Sequence, residues 1–388
     1  MLSEFLQYRA WQKLSFICLF TLISIVLWVT FDEEQRVPTM QRMTTLGSIV
    51  QSQTEVDLFA SMVGLMNQTW QQNVTNLKSY SQTEVGLFPS IVGLMNQTWQ
   101  QNVTNLKSYR ESLKSAIKMR TIDHVLFTQR NLRRGDKIPT IDGVKIRTTT
   151  NLMKNFPMSS PFPAPPYRSC SIVGSSDILS GSQCGSLIDS ADIVFRFNLA
   201  PITGFESDVG TKNTMTTMNP SIYKNMYGNL KTHKQVSDFT KVLSEQRGAL
   251  IWTPVFAYAG NDKPTFEAIK KIKSVNSKLR FVIQDTRHFI AMREFWKSHG
   301  LKTMLSTGFY FVNVALDICD RVNVFGFWPF DRSADGKPLL YHYSHDDIPF
   351  PFADHHNMSY EFKLLAAMHS EGLLQLHMGN CTNGAISL

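Results

Sequence analysis

The apolar residues of the chain fall into three patterns, and the first predicts a membrane span. Residues 14–31, LSFICLFTLISIVLWVTF, form an uncharged apolar run that is just long enough to cross a thin bilayer as a helix. Arg9 and Lys13 precede this run, and three acidic residues, 32–34, follow it. That asymmetry places the N-terminus in the cytosol and the rest of the chain in the lumen. A cleaved signal peptide is the alternative, but no small-x-small cleavage site follows the run.

The second pattern is helical and occurs twice. Residues 52–80 and 81–109 form a tandem repeat, and in each copy apolar residues recur at intervals of three and four, beginning at Phe59 and at Phe88. This spacing is typical of an amphipathic helix that self-associates, so a homodimer is one candidate assembly. Glycine and proline residues interrupt the stripe, and a flexible stem is the simpler interpretation.

The third pattern begins at Arg168, where short runs of β-branched and aromatic residues alternate with helical segments. The segment CSIVGSSDILSGSQCGSLIDSADIVFRFN predicts a strand at 171–173, a glycine turn, a helix that starts near Cys184, and a second strand at 193–197. Later segments, FVIQD, GFYFVNVALDICD and RVNVFGFWPF, add strands and helices. The alternation predicts an α/β layered fold, with a first turn whose N–H groups can hold a phosphate at a helix start.

The length of the chain and its net charge limit the domain organisation and the possible partners. The chain has 388 residues, 43% of them apolar, which is enough for one large domain at 118–388 after a cytoplasmic tail (1–13), the span (14–31) and a stem (32–117). The net charge of +8 is compatible with nucleic acid, but a lumenal location disfavours that partner. A small anionic donor, an acidic glycan or anionic lipid fits better.

Cysteines and glycosylation signals are consistent with the secretory pathway. With Cys18 inside the predicted span, four cysteines remain for an oxidising compartment, and three pairings are allowed. No CxxC spacing supports a zinc site. The chain also carries Asn-x-Ser/Thr signals, which predict glycosylation where they are exposed. These are Asn67, Asn73, Asn96, Asn102, Asn357 and Asn380.

Two short segments carry candidate binding groups. In LSTGFYF, residues 305–311, Ser306, Thr307 and Gly308 stand at a predicted loop-to-helix junction. Free N–H groups and two hydroxyls at such a junction suit a carboxylate or phosphate, and an ordinary helix cap is the alternative. In GFWPF, Trp328 follows a predicted strand and is either a core aromatic or a platform for a nucleotide base.

Histidines are concentrated near the C-terminus, and three interpretations of them stay open. They could hold a metal together with nearby aspartates, act as general acid and base, or lie at the surface, which we expect of His345, His355 and His377. The cluster comprises His342, His345, His355, His356, His369 and His377.

Four segments together resemble the sialyl motifs of animal sialyltransferases, glycosyltransferase family 29. The stretch that begins at Cys170 and ends in TTMNPS resembles the large motif, LSTGFYFVNVALDICDRVNVFGFWPF the small motif, YHYSHD motif III, and HNMSYEF the very small motif. Their order is that of the family, and GSQCG, GFWPF and Cys381 are most similar to the α2,8-sialyltransferases. The resemblance implies a single-domain, Rossmann-like GT-A variant fold with a mostly parallel sheet flanked by helices.

The resemblance also implies an activity and a location. It implies a Golgi type II membrane enzyme that transfers sialic acid from CMP-sialic acid, with inversion, to a sialylated glycoprotein or glycolipid, without a metal or other cofactor. The sequence supports the last point separately, because no DxD motif, which commonly holds the metal and nucleotide diphosphate in GT-A enzymes, occurs in it. A monophosphate leaving group needs less charge compensation.

By motif position, the resemblance assigns residue roles. His356 would be the general base, His342 would stand near the departing phosphate, and Glu361 would be a structural partner. Ser306, Thr307 and Gly308 would hold the donor carboxylate, and Asn198 and Trp328 would contact the cytidine nucleotide. The implied disulfides are Cys170–Cys319 and Cys184–Cys381.

Two features of the sequence bear on the strength of the activity and on the length of the product. The family usually has asparagine after the first glycine of the GNS turn, where this chain has Ser175. A shorter side chain there weakens the expected donor contact, so a catalytically weak or inactive lumenal CMP-sialic acid binder or scaffold is the alternative. Lysines and arginines at 263–302 are interrupted by acids and apolar residues, which favours short products over long polymers.

Overall fold

The described strands are short, mostly buried runs of apolar residues, and seven of them form one parallel sheet. The computed structural model describes residues 98–162, 165–344 and 356–382. The strands are β1 (Lys137–Pro139), β2 (Lys145–Arg147), β3 (Tyr167–Val173), β4 (Ile193–Arg196), β5 (Met215–Thr217), β6 (Leu250–Thr253), β7 (Arg280–Ile283), β8 (Cys319–Phe325) and β9 (Gln375–His377). β1 and β2 pair separately as an antiparallel hairpin. The main sheet has the order β7-β6-β5-β4-β3-β8-β9, with every neighbouring pair parallel.

Helices connect these strands, and several begin at a residue whose side chain caps them. They are α1 (Val103–Ile117), α2 (Thr121–His124), α3 (Thr150–Met153), α4 (Gly185–Asp189), α5 (Glu206–Val209), α6 (Pro220–Met226), α7 (His233–Ser244), α8 (Asp262–Val275), α9 (Thr286–Ser298), α10 (Thr307–Ile318) and α11 (Met358–Ser370). Thr232 and Gln235 form a capping box at α7, and Asp285 caps α9 by accepting from the N–H of Arg287. These caps satisfy N–H groups that a helix start otherwise leaves without partners.

Helix α10 is the central helix of the core. Its residues 309–316 are each at most 1% exposed, and it packs against β3 and β8. A helix that is buried on all sides needs partners for any polar group it carries. Asn313 has them, because its amide donates to the Phe309 carbonyl and its Oδ1 accepts from the indole N–H of Trp296 at 2.9 Å. The apolar run in the small motif thus forms a core helix.

The strand order places a crevice between β3 and β8. From β3 the chain builds β4, β5, β6 and β7 toward one edge of the sheet, and it then returns to add β8 and β9 on the other side of β3. Such a reversal leaves a crevice at the carboxyl ends of the two strands, which is where open parallel sheets bind ligands. The segments that follow β3 and β8 are the predicted glycine turn and GFWPF.

These elements confirm the predicted α/β class and the mostly parallel sheet flanked by helices. The strand predicted at 171–173 falls in β3, the one predicted at 193–197 is β4 with one residue too many at its end, and the helix predicted near Cys184 is α4. The region before β3 holds α2, the β1-β2 hairpin and α3.

Helix α1 lies on the stem side of the predicted boundary between stem and catalytic domain, and it ends at that boundary, 117/118. Its first residues, 103–109, belong to the second repeat copy. Its buried residues include Leu106 and Leu113, and Arg110 donates to the carbonyl groups of Leu316 and Cys319 at 2.7 and 2.5 Å. This end of the repeat is therefore packed on the core, and the boundary itself stays a prediction.

The predicted membrane span and the first repeat copy lie outside the described residues. Within residues 98–162, 165–344 and 356–382, no helix has the length and apolar character that a membrane crossing requires.

Candidate active site

A cavity opens at the carboxyl ends of β3 and β8, in the crevice that the strand order creates. Its volume is about 350 Å³, which lies in the range of roughly 300–1,000 Å³ found for small-molecule sites. We call it the first cavity. Every donor-binding, catalytic and motif residue predicted from the sequence lines it. These residues are Ser175, Asn198, Ser306, Thr307, Gly308, Trp328, His342, His356 and Glu361.

Two glycines form the floor where the strands end. Gly174 follows β3 and donates its N–H to the Phe325 carbonyl at 2.8 Å, and Ser176 donates to the Gly326 carbonyl at 3.2 Å. A Cβ on Gly174 would lie 2.2 Å from the Gly326 oxygen. Gly326 itself has a φ of +67°, a conformation that side chains disfavour. The close contact of these two backbones therefore requires glycine at both positions.

The N-terminus of α10 forms one wall, as the loop-to-helix prediction expected. Ser306 is the cap, and its Oγ accepts from the N–H of Phe309 at 3.1 Å while donating to a carboxylate oxygen of Glu361 at 2.5 Å. Because the hydroxyl is engaged in this way, an anion at this helix end would be bound by the N–H groups of the first turn. A Cβ on Gly308 would lie 2.9 Å from the Phe327 ring, so this aromatic ring packs directly beneath the helix start.

Glu361 joins α11 to α10. One carboxylate oxygen accepts from the backbone N–H of Ser306 at 2.8 Å and the other from its hydroxyl. Burial raises the pKa of Glu361 to about 7, because the loss of water outweighs the two hydrogen bonds from Ser306. Near neutral pH the first cavity therefore carries less negative charge than a surface glutamate would give it, which favours an anionic ligand.

The pH dependence of the unfolding free energy should report the titration of Glu361. In the unfolded chain Glu361 ionises near its ordinary pKa of 4.5, and in the folded chain near 7. The stabilising effect of the proton is complete below the lower pKa and is lost as the pH rises through the higher one. Glu361→Gln keeps donor and acceptor groups but cannot ionise. We expect the unfolding free energy of the wild type minus that of Glu361→Gln to fall by about 2–3 kcal/mol between about pH 4 and 8. Urea unfolding measures this difference, and a constant difference across that range would contradict the assigned titration.

His356 is held in one orientation and in one neutral tautomer. Its Nδ1 donates to the Met304 carbonyl at 2.7 Å, and the next residue, Asn357, donates its backbone N–H to the Thr303 hydroxyl at 3.1 Å. Because a carbonyl only accepts, the neutral ring carries its proton on Nδ1 and its lone pair on Nε2. The geometry gives His356 the electronic form that a general base needs.

His342 enters the first cavity from the segment after GFWPF. Its ring lies against that of Tyr341, with centroids 4.3 Å apart. The following Tyr343 ties this segment to the strand ends, because its N–H donates to the Ser175 carbonyl at 3.0 Å and its hydroxyl donates to the Pro201 carbonyl at 2.6 Å. The remainder of the YHYSHD motif, with His345, lies outside the described residues.

A second cavity adjoins the first. Its volume is about 410 Å³, and it extends along α6 to the loops that follow β6 and β7. Asn219, Thr307 and His356 line both cavities. The imidazole of His356 therefore stands where a ligand in one cavity would meet a ligand in the other.

Comparison with known proteins decides the family. Residues 117–373 match the profile of Glycosyltransferase family 29 (sialyltransferase). The chain belongs to this family. The matched residues include both cavities and all four motif segments of the sequence.

Two curated relatives and one solved structure show how far the similarity extends. The Alpha-2,8-sialyltransferase 8F of Mus musculus is 36% identical over 233 residues, 60% of this chain and 58% of that protein. The Alpha-N-acetylneuraminide alpha-2,8-sialyltransferase of Xenopus tropicalis is 33% identical over 228 residues, 58% of this chain and 65% of that protein. The chain therefore spans less than two thirds of each relative. A mammalian sialyltransferase in complex with Gal-beta-1-3GalNAc-ortho-nitrophenol aligns with a TM-score of 0.38 and 20% identity, over 74% of this chain and 92% of that one.

Both disulfides expected for this family are present. Cys170 is bonded to Cys319 across the adjacent strands β3 and β8. Cys184, at the start of α4, is bonded to Cys381 near the C-terminus. The predicted pairing is confirmed, and the two bridges join segments that are 149 and 197 residues apart.

Asn198 and Trp328 line the first cavity in different ways. Asn198 is exposed and has a φ of +51°, and its N–H donates to the Thr217 hydroxyl at 2.9 Å. Trp328 is 2% exposed, lies against the rings of Phe330 and Phe362, and donates its indole N–H to the Arg332 carbonyl at 2.7 Å. The tryptophan is thus a core aromatic at the cavity wall, and both predicted nucleotide contacts stay predictions.

Part of the cavity lining was not predicted from the sequence. Asn219 lines both cavities, and the Phe327 ring supports Gly308. Asn219 could have been found from the Asn-Pro sequence at 219–220, because proline at the first position of α6 predicts a helix start just after Asn219. No local signal distinguishes Phe327 from its aromatic neighbours.

The expectation that His377 lies at the surface is wrong. Its ring stacks on Phe325 with centroids 4.3 Å apart, and its Nε2 bonds the Asn323 side chain at 3.0 Å. Burial lowers its pKa to about 3, so it is a neutral residue of β9 whose ring packs on β8. His345, His355 and the aspartates between them lie outside the described residues. Within the described ones, no group of three His, Cys, Asp or Glu side chains is placed to hold a metal ion.

Three of the predicted glycosylation sites can be located. Asn102 and Asn380 are exposed. Asn357 is half-buried, and its side chain caps α11 by accepting from the Tyr360 N–H at 2.9 Å. Asn67, Asn73 and Asn96 lie outside the described residues, and glycosylation at all six positions stays a prediction.

Proposed function

We propose that this protein is a Golgi α2,8-sialyltransferase, which transfers sialic acid from CMP-sialic acid to a terminal sialic acid on a glycoprotein or glycolipid. Membership in family 29 supports a nucleotide-sugar donor and a glycan acceptor. The linkage is proposed from the α2,8-type motif segments and from the names of the two relatives. The Golgi location is proposed from the predicted membrane span and stem. The finer fold class, a Rossmann-like GT-A variant, is proposed from the order of the motifs.

The position of His356 is the observation that carries the proposal. It lines both cavities, and its Nδ1–H bond to the Met304 carbonyl leaves the lone pair of the neutral ring on Nε2. In a transfer reaction the base must reach the acceptor hydroxyl at the point where the hydroxyl meets the donor carbon. We therefore assign the donor to the first cavity and the acceptor to the second.

The proposed step is a single displacement. Nε2 of His356 takes the proton from the acceptor hydroxyl, while the oxygen of that hydroxyl forms a bond to the anomeric carbon of the sialyl group. The bond from that carbon to the phosphate oxygen breaks on the opposite face, so the configuration inverts. His342 donates to the departing phosphate, and the products are the extended glycan and CMP.

Helix α10 supplies the electrostatic part of the site. The N–H groups of Thr307 and Gly308 lie in its first turn, where the helix dipole favours an anion. We assign them to the donor carboxylate, whose charge balances the oxocarbenium-like transition state. Glu361 positions this helix start through Ser306. Asn198, Ser175 and Trp328 are assigned to the nucleotide side of the first cavity.

We further propose that transfer needs no metal ion. A cytidine monophosphate leaving group carries less charge than a nucleotide diphosphate, and histidine with backbone donors can stabilise it. The absence of a DxD motif from the sequence supports this.

One observation favours a second candidate, a lumenal CMP-sialic acid binder or scaffold with weak or absent turnover. Ser175 stands in the first cavity where the family usually has asparagine. The shorter side chain reaches less far toward a donor, which weakens binding and orientation.

An assay in EDTA tests the proposal. The full-length chain in detergent is incubated with CMP-sialic acid, a sialylated acceptor and EDTA, and the product linkage is determined. We expect α2,8-linked product at the same rate with and without EDTA. Activity that is lost in EDTA and restored by zinc or manganese would show a metal-dependent enzyme. Binding of CMP without turnover on a broad acceptor panel would support the scaffold.

A further inference from the structure

The second cavity carries a positive charge with no acidic partner among the described residues. Its described lining includes neither aspartate nor glutamate, and it includes Lys224 and His356 as basic residues. Lys224 lies on α6 and is half-buried. A cavity of this character attracts an anion, whereas a neutral sugar would leave the lysine without a counter-ion.

Lys224 is held in place but not neutralised. Its Nζ donates to Asn261 Oδ1 at 3.0 Å, and no ion pair of this lysine exists within the described part of the chain. An ammonium group has three N–H donors. One neutral acceptor therefore fixes the direction of the side chain and leaves donors for a ligand.

A buried amide in the same cavity is the second, independent observation. Gln284 follows β7, is 1% exposed and lines the second cavity. Its Oε1 has no hydrogen-bond partner among the described residues. Buried polar atoms in folded proteins almost always have a partner. This acceptor atom is shielded from solvent, so a ligand N–H or O–H in the adjoining cavity completes it when the Gln284 side chain turns toward that cavity.

We propose that Lys224 and Gln284 select an acceptor with a terminal sialic acid, an inference that rests on the proposed function. The ammonium of Lys224 pairs with the carboxylate of the acceptor sugar, and Oε1 of Gln284 accepts from one of its hydroxyl or acetamido N–H groups. His356, in the same cavity, faces the hydroxyl that reacts. The pair makes the enzyme specific for acceptors that already carry sialic acid.

A double-mutant cycle between protein and acceptor tests the carboxylate contact. The protein variants are the full-length wild type, Lys224→Met and Lys224→Arg. The acceptors are a sialylated galactoside and its methyl ester, which removes the negative charge. We expect Lys224→Met to raise the acceptor KM about 10- to 100-fold, the range for hydrogen bonds to charged groups, and Lys224→Arg to recover most of the loss. Methyl esterification of the acceptor should raise the KM of the wild type by a similar factor. It should change the KM of Lys224→Met little, because the ester and the substitution remove the same contact.

Lys263→Met is the matched control. Lys263 lies two residues beyond Asn261, is exposed, does not line the cavity, and its removal changes the net charge equally. We expect its acceptor KM to stay within twofold of the wild type. An equal rise in both lysine variants would show a general charge effect and overturn the inference, as would an ester penalty that is as large in Lys224→Met as in the wild type.

Gln284→Leu separates a ligand contact from a structural one. Because its Oε1 is buried without a partner, replacing the amide by an apolar group should leave the unfolding midpoint unchanged or raised. The acceptor KM should nevertheless rise severalfold. A lowered midpoint with an unchanged KM would assign Gln284 to folding alone and remove it from the proposal.

A binding measurement keeps the test independent of turnover. Saturation-transfer NMR on CMP-loaded protein compares the sialylated galactoside with its asialo form. We expect wild-type and Lys263→Met protein to bind only the sialylated form and Lys224→Met to lose that binding. If the wild type binds the sialylated form but never transfers to it, the proposed function fails and this inference stands. If transfer to an asialo acceptor occurs and is insensitive to Lys224→Met, the inference fails and a sialyltransferase remains.

Discussion

Replacing His356 by alanine is expected to reduce kcat about a hundred- to ten-thousand-fold, the contribution of a positioned general base. The neutral ring presents Nε2 because Nδ1 donates to the Met304 carbonyl, and alanine offers no proton acceptor at this point. His356→Gln should lose as much activity, because an amide can form hydrogen bonds but cannot take the proton. Steady-state transfer from CMP-sialic acid measures the effect, and CMP binding in the same samples reports whether the first cavity is intact.

His233→Ala is the matched control for this experiment. His233 is exposed at the start of α7 and lines neither cavity, so its removal should leave kcat within twofold of the wild type. If His356→Ala retained more than about a tenth of the wild-type kcat, another group would have to be the base, since general-base catalysis contributes roughly a hundredfold or more.

Removing the Cys170–Cys319 disulfide is expected to lower the unfolding free energy by about 5 kcal/mol on the loop-entropy model, given the 149 residues that separate the two cysteines. Both cysteines are fully buried, so the double variant Cys170→Ala/Cys319→Ala avoids placing a new polar group in the core. A loss of this size is a large part of a typical stability of roughly 5–15 kcal/mol. The midpoint of equilibrium urea unfolding in detergent measures it.

Cys18→Ala is the control, since this cysteine belongs to neither bridge. Its midpoint should equal that of the wild type. An unchanged midpoint in the double alanine variant would mean that the covalent bond adds no net restriction to the unfolded chain, and the entropy argument would be wrong here.

Local signals predicted the elements of the site but not how they meet. The strand at 171–173 and the cap at Ser306 could be found because alternation and capping act over a few residues. The bonds that shape the cavity join distant segments, such as Ser306 with Glu361 and Met304 with His356. Those contacts depend on where α11 docks against α10, which no short sequence pattern encodes.

The second cavity was even harder to predict from local sequence signals. Part of its described lining belongs to motif segments, such as Asn219, Thr307 and His356, but Lys224 on α6 and Gln284 after β7 lie outside every motif. Only the parallel order of the sheet brings the ends of these segments to one edge. The error at His377 has a related cause, because a polar residue type does not reveal that Phe325 on the adjacent strand covers it.

The glycine floor beneath the first cavity also limits how such an enzyme can diversify. Where β3 and β8 end, not even a methyl group fits on Gly174, so this side of the first cavity offers evolution or a protein engineer almost no room for change. The second cavity is instead lined by whole side chains from separate elements, among them Lys224 and Gln284, so replacing them changes the lining without adding a Cβ to a close backbone contact. Under the proposed assignment of the acceptor to the second cavity, new acceptor preferences should therefore arise by point replacement there, while the floor of the first cavity stays unchanged.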